Sequence, residues 1–353
     1  MMLRSRFDFG RVAMLALTLL AAAAPRALAL DQLRAGKAVT TSFPMALMDF
    51  GAAQGVFAKY GIDLEITAFS GDAKLQQAFA ADSIDIGLGS GPAMAFEMKG
   101  APVIVVAAFA GEPRTISLTV LPDSPLKKPA DMKGKLIGIS TTGSLTEWLA
   151  KRLAVAEGWG PNGVRLAALG AGSAMNGALF TKDVDAIMTG TENSLLLEDR
   201  GQARIITGME PYAPQFITHV VFASRTLIAK DPDLVARFLQ GFFASMAAAK
   251  ADKAKAVEVL APVLNESPKV LANVYDHEVP MLIDDGRIEP KAVSVLKASF
   301  IEMGILSETP RDDQLFTTRF LPVKAAPAAS GATVGKPAAE MPAPPVKDPN
   351  KRY

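Results

Sequence analysis

The sequence predicts an α/β protein of two similar lobes, each a mainly parallel sheet flanked by helices. Three observations carry that expectation. "SIDIGLGSG" at 83–91 is nearly rewritten as "DVDAIMTGT" at 183–191, which sets Asp85 and Asp185 a hundred positions apart. Strand-like and helix-like segments alternate in the same order around both copies, the pattern of βαβ units and parallel sheets. The length of 353 residues, with 50% hydrophobic and 21% charged, suits two ordinary domains.

The elements follow in order. "KAVTTSF" reads as a strand running into a loop. "PMALMDFGAAQGVFAKYG" reads as a helix with Pro44 in its first turn, weakened by Gly51 and Gly55 and ended by Tyr60-Gly61. "IDLEITAF" alternates like a strand, and "SGDAKLQQAFAADS" is helical, with Leu75 and Phe79 one turn apart. "IDIGLGSG" is a strand, "PAMAFEMKG" a short helix and "PVIVVAAF" a buried strand. Shifted by 100, "LIGISTTG", "SLTEWLAKRLAVAEGWG", "VRLAALG", "AGSAMNGALFTKD" and "VDAIMTGT" repeat the set, with Met175 and Leu179 standing for Leu75 and Phe79 and no insertion expected. From about 225 to 322 the chain is mostly helical. Asp231 is a cap, Pro232 follows at the first helical position, and Leu234, Phe238, Phe242 and Met246 form a stripe that belongs to a core.

The ends read differently. Arg4, Arg6 and Arg11 precede an apolar run at Val12–Ala24, and Ala27-Leu28-Ala29 resembles a cleavage site, so 1–29 is expected to be a signal peptide and the protein to be exported to the periplasm. Removing 1–29 takes four Arg and Asp8 with it and turns a formal net charge of +1 into −2. Neither value draws nucleic acid, and no basic stripe is interleaved with aromatics. With no cysteine, thiolate metal sites and thiol nucleophiles are excluded. Two histidines, His219 and His277, lie too far apart for a metal signature, and no cofactor fingerprint is present. The Ala/Pro-rich stretch 323–353 is expected to be a disordered tail.

In parallel sheets, ligands sit outside the carboxyl ends of strands. Those ends are the loops 41–44, 70–72, 89–91, 141–144, 171–173 and 190–193, all small or polar. Facing each other, they would line a closable cleft. Ser144 and Glu147 fit a capping box behind Thr141, Thr142 and Gly143. A helix start of this kind offers free N–H groups and partial positive charge, suited to an anionic oxygen, or it is a plain cap. Ser90-Gly91-Pro92 is the matching place in the first lobe, and Asp72 sits on the neighbouring loop. Ser42 offers a hydroxyl. Phe43 offers an aromatic face, for a ligand or for covering the lobe. Glu192, between Thr191 and Asn193, needs a partner if buried. His219 is either a cleft residue or a structural histidine. Asp85 and Asp185 each begin a strand on the side away from this rim, which argues against paired acid–base catalysis.

The segment "GVFAKYGIDLEITAFSGDAKLQQAFAADSIDIGLGSGPAMAFEMKGAPVIVVAAF" and the pattern "LPDSPLKKPADMKGKLIGISTTGS" resemble the nitrate/sulfonate/taurine-type substrate-binding proteins of ABC transporters. The resemblance spans roughly 37–322. It implies a two-lobe type 2 periplasmic-binding-protein fold, with a first lobe of about 30–121 plus 222–322 and a second of 122–221. Two crossing strands would join them near 118–121 and 220–224, where "TISLTVLP" and "HVVFAS" bracket the second repeat. It also implies no enzymatic activity and no cofactor. The partners implied are a small anionic or zwitterionic solute, an ABC permease and its ATPase, with the binding protein a monomer. Many relatives carry an aromatic-Glu-Pro triplet where this chain has Thr191-Glu192-Asn193, so only the glutamate matches. A thiamine-pyrimidine synthase on the same fold and an extracytoplasmic sensor are the alternatives. The first normally carries a Cys-rich motif that this chain lacks.

Overall fold

The structure is a computed structural model and describes residues 30–324. The expected signal peptide and nearly all of the expected tail lie outside the described residues. Among the described residues there are ten strands: β1 (Asp31–Lys37), β2 (Ile62–Ala68), β3 (Ile86–Ser90), β4 (Val103–Ala110), β5 (Ile116–Val120), β6 (Leu136–Ile139), β7 (Arg165–Ala168), β8 (Ala186–Gly190), β9 (Arg204–Gly208) and β10 (His219–Ser224). They form two sheets of five, ordered β2-β1-β3-β10-β4 and β7-β6-β8-β5-β9. Each sheet is parallel except around one strand. β10 runs antiparallel to β3 and β4, and β5 antiparallel to β8 and β9. β4, the run "VIVVAAFA", is buried at every residue, as expected of a strand covered on both faces.

The repeat is real, with one correction. Ala35 pairs with Ile86 where Ile137 pairs with Ala186, and Ile66 pairs with Ala35 where Leu166 pairs with Ile137. The offset is therefore 102 on the first strand and 100 afterwards, because the first lobe spends two more residues between its first helix and β2. That first helix is α1 (Phe43–Ala53), broken from α2 (Val56–Lys59) by left-handed Gly55. The first strand is also displaced: it occupies Asp31–Lys37, and most of the stretch 37–43 expected to be the strand is the loop leading into α1.

Asp85 and Asp185 have the same structural task. The Asp85 carboxylate accepts from the Arg34 backbone N–H at 3.3 Å and from its guanidinium at 2.7 and 2.8 Å. Asp185 accepts from the Leu136 N–H at 2.8 Å. Arg34 within β1 and Leu136 at the start of β6 occupy matching places beside the beginnings of β3 and β8, so each aspartate ties two neighbouring strands at the N-terminal end of its sheet.

The helices of the first lobe beyond α2 are α3 (Asp72–Ala80) and a 3-10 helix at Gly91–Lys99. The second lobe holds α4 (Leu145–Ala156), α5 (Ser173–Phe180) and α6 (Thr191–Asp199). The chain then returns to the first sheet and adds α7 (Arg225–Lys230), α8 (Pro232–Ala251), α9 (Lys253–Leu264), α10 (Pro268–Glu278), α11 (Pro290–Glu302) and α12 (Asp312–Leu315). Asp231 caps α8 through the Leu234 N–H at 2.9 Å. The stripe Leu234, Phe238, Phe242 and Met246 is buried, with Phe242 edge-on to Phe109 of β4. Each such buried side chain contributes roughly 1.5–3 kcal/mol of transfer free energy.

β5 joins the second sheet and β10 the first. The chain thus changes sheets within 111–115 and 209–218, earlier at both points than the boundaries 118–121 and 220–224 expected from the sequence. The strands remain wholly in one sheet because all their ladder bonds lie there. At the C-terminus, Val323 is buried and its N–H donates to Asp285 O at 2.8 Å, so the fold extends into the first residue assigned to the tail.

Candidate functional site

The carboxyl ends of β1, β3, β6 and β8 bring the rim loops to the junction of the two lobes. The defining contact crosses that junction: the Phe43 N–H, at the start of α1 in the first lobe, donates to Glu192 Oε1 of the second at 3.1 Å. Glu192 is buried, and that burial pushes its carboxyl up to about 7. The lobes also meet through α10 and α6 on one side. On the other, Trp148 Nε1 of α4 donates to Glu302 Oε2 of α11 at 2.8 Å, and the Trp148 ring stacks on Phe216 of the second crossover, centroids 4.4 Å apart.

The helix starts are occupied by the chain's own acids. Ser144 caps α4 through the Glu147 N–H at 3.3 Å, and Glu147 reaches back to the Gly143 N–H at 2.5 Å. Gly143 has φ +78°, which glycine adopts without cost. Glu147 is further neutralised by Lys151 at 2.7 Å. In the first lobe, Asp72 accepts from Ser90 N–H at 2.9 Å and Ser90 Oγ at 2.7 Å, and its carboxyl is raised by burial. Three carboxylates therefore sit where the sequence suggested an anionic guest.

The other expected site residues divide as follows. Phe43 has a side chain that is 1% exposed and packs edge-on against Tyr275, in keeping with the second of the two roles the sequence left open, covering the lobe. Gly91 and Thr191 hold the crossovers. The Gly91 N–H donates to Thr218 O at 2.9 Å, and an added Cβ would lie 1.9 Å from Ile217 O. The Thr191 N–H donates to Thr115 O at 2.9 Å and its hydroxyl to Arg114 O at 2.8 Å. Asn193 exchanges reciprocal amide bonds of 2.9 Å with Asn176 on α5. Thr141 and Thr142 are exposed, and Ser42 is buried with no partner for its Oγ. His219 is buried, stacks on Phe109 at 5.5 Å, and leaves both ring nitrogens unpartnered; burial pushes its pKa down to about 3, so it is neutral.

Sequence reasoning passed over Glu278, the last residue of α10. It is fully buried, neither carboxyl oxygen has a partner, and burial together with the nearby Glu192 charge holds its pKa well above the carboxylate range. A signal existed: Leu271, Val274, Tyr275 and Glu278 fall on one helical face, an acid continuing a buried stripe. Among the described residues no group of three or more His, Cys, Asp or Glu is arranged to hold a metal, and no helix is long and apolar enough to cross a membrane.

Two five-stranded sheets of this order, traversed twice by the chain and meeting at the carboxyl ends of their strands, define the periplasmic-binding-protein class of fold. The sequence profile of the family described as NMT1/THI5 like matches residues 46–256, and the chain belongs to that family. The fold is similar to that of the periplasmic aliphatic sulphonate binding protein SsuA from Escherichia coli, at 18% identity and a TM-score of 0.69 over 90% of this chain and 98% of that one. It is similar to the zinc-bound ligand binding component of an ABC-type import system from Staphylococcus aureus, at 15% identity and TM-score 0.72 over 84% and 100%. The desulfurization enzyme DszB is also similar, at 16% identity and TM-score 0.60 over 82% and 97%. No curated protein sequence matches the chain.

Proposed function

We propose that this protein is the periplasmic solute-binding component of an ABC importer. It captures a small organic solute by closure of its two lobes and delivers it to a permease driven by an ATPase. The observation that carries this reading is the Glu192–Phe43 contact, in which a buried carboxylate of one lobe meets a helix start of the other at the strand ends. Hinged closure about two backbone crossovers is a recognised motion of such folds. The name of the S. aureus neighbour supports import, that of the E. coli neighbour supports a periplasmic binding role, and the apolar run before Ala29 supports export. We read the chain as a binding protein rather than an enzyme, acting as a monomer.

The sequence favoured an anionic or zwitterionic solute. Because Glu147, Glu192 and Asp72 already occupy the rim donors, the geometry favours the zwitterionic alternative over a simple anion. Native mass spectrometry of protein purified from its own periplasm, followed by calorimetry with the retained compound, tests the reading. A bound small molecule that rebinds at micromolar concentration is expected, which corresponds to about −8 kcal/mol. A purified, folded protein that retains nothing and responds to no solute refutes it.

A further inference from the structure

Four polar groups lie on elements that meet at or beside the lobe junction. Glu192 comes from the second lobe and bonds the Phe43 N–H. Ser42, one residue earlier, has its Oγ buried without a partner. Thr115, whose carbonyl holds the first residue of α6, likewise has a buried, unpartnered Oγ1. Glu278 closes the set from α10, which packs against α6, with both oxygens unpartnered and the residue fully buried.

A buried carboxyl with no donor forfeits hydrogen bonds that water would supply. Its position at the C-terminal end of α10 makes matters worse, since that end of a helix carries partial negative charge. Among the described residues no Lys or Arg bonds to either Glu192 or Glu278. Packing alone would be better served by Gln, Met or Leu at 278. What two such acids, one on each lobe, lack is a compensating cation, and a guest lying between them would supply it.

We propose that Glu278 is a solute-contacting residue, which together with Glu192 receives a nitrogen head group rich in N–H donors: a protonated amine, an amidinium or a guanidinium. This rests on the solute-binding reading and names the class of guest. Such a head group donates to both carboxyls at once and ties the lobes together in the closed state. A sulfonate, which offers only acceptors, meets the helix starts already filled by Glu147 and Glu192.

Isothermal titration calorimetry on the full mature chain provides the test, with agmatine, methylguanidine and acetamidine as nitrogen probes and ethanesulfonate as the acceptor-only probe. At least one nitrogen probe is expected to bind, and Glu278→Gln is expected to weaken it by at least about tenfold, because the amide turns a donor toward the guest. Glu278→Met guards against a local effect of the amide and is expected to lose the same binding. Thermal melts establish that both variants fold. Binding of ethanesulfonate with the nitrogen probes silent overturns the inference and leaves the solute-binding reading standing. So does nitrogen-probe binding that Glu278→Gln and Glu278→Met leave unchanged. Silence of every probe counts against the inference, while the solute-binding reading then falls only if the native mass spectrum is also empty.

Discussion

His219 is the titratable group whose burial has the clearest consequence for stability. Its ring lies against Phe109 with both nitrogens unpartnered, and its pKa falls from 6.5 to about 3. The folded state therefore binds fewer protons than the unfolded chain between these two values, and stability falls with pH across that window. At pH 4.5 the unfolded chain gains about 2.7 kcal/mol from protonating this residue, against about 0.2 kcal/mol at pH 7, so the wild type loses about 2.5 kcal/mol from this group alone. His219→Phe keeps a ring on Phe109 and removes the titration. Guanidinium denaturation of both proteins at pH 7 and pH 4.5 gives the difference of differences, in which all other groups and any repacking cost cancel. The wild type is expected to lose about 2.5 kcal/mol more than the variant. Parallel pH dependence would show that the imidazole is solvated or paired, and that the burial described here is wrong.

Glu192 titrates in the opposite sense. Its pKa is raised to about 7, so the folded state holds the proton longer and stability declines as pH rises from 4.5 to about 7, by up to about 3 kcal/mol. Glu192→Gln, whose amide oxygen still accepts from Phe43, should flatten that decline in denaturant titrations at pH 5 and pH 8. Gly91→Ala drives a methyl into Ile217 O and should cost about 3 kcal/mol or more, read as a lower melting temperature or loss of soluble protein. Glu302→Ala leaves the buried Trp148 indole without its acceptor and should cost about 1–3 kcal/mol, accompanied by a more open form in small-angle scattering.

Local chemistry made much of this fold legible in the sequence. Helical stripes and the caps at Ser144 and Asp231 are decided by residues within a few positions of each other and emerge as read, as do most strands, the first excepted. The two apolar runs at 116–120 and 219–224 were recognisable as connecting strands, but the sheet each one joins depends on partners far away in the chain, and the expected boundaries were displaced accordingly. The two-residue shift of the repeat was hidden because α2 fills the extra length without disturbing the pattern. The site was legible as a set of loops but not as a set of contacts. The Phe43–Glu192 bond joins residues 149 positions apart, and no local rule says which acid will reach which helix start. Phe43 points inward because Tyr275 waits there, which the neighbourhood of Phe43 does not reveal.

The place of β10 bears on how the molecule is assembled. It lies between β3 and β4, which have no ladder with each other, and it arrives more than a hundred residues after both. The stretch from β5 to β9 is contiguous and can complete its own sheet as soon as it emerges from the ribosome or a translocation pore. The earlier half must wait, with two unmated strand edges, until residues 219–224 thread between them. The later-born half is thus expected to be the first to become native, and a chaperone that shields bare edges would be needed most by the segment made first.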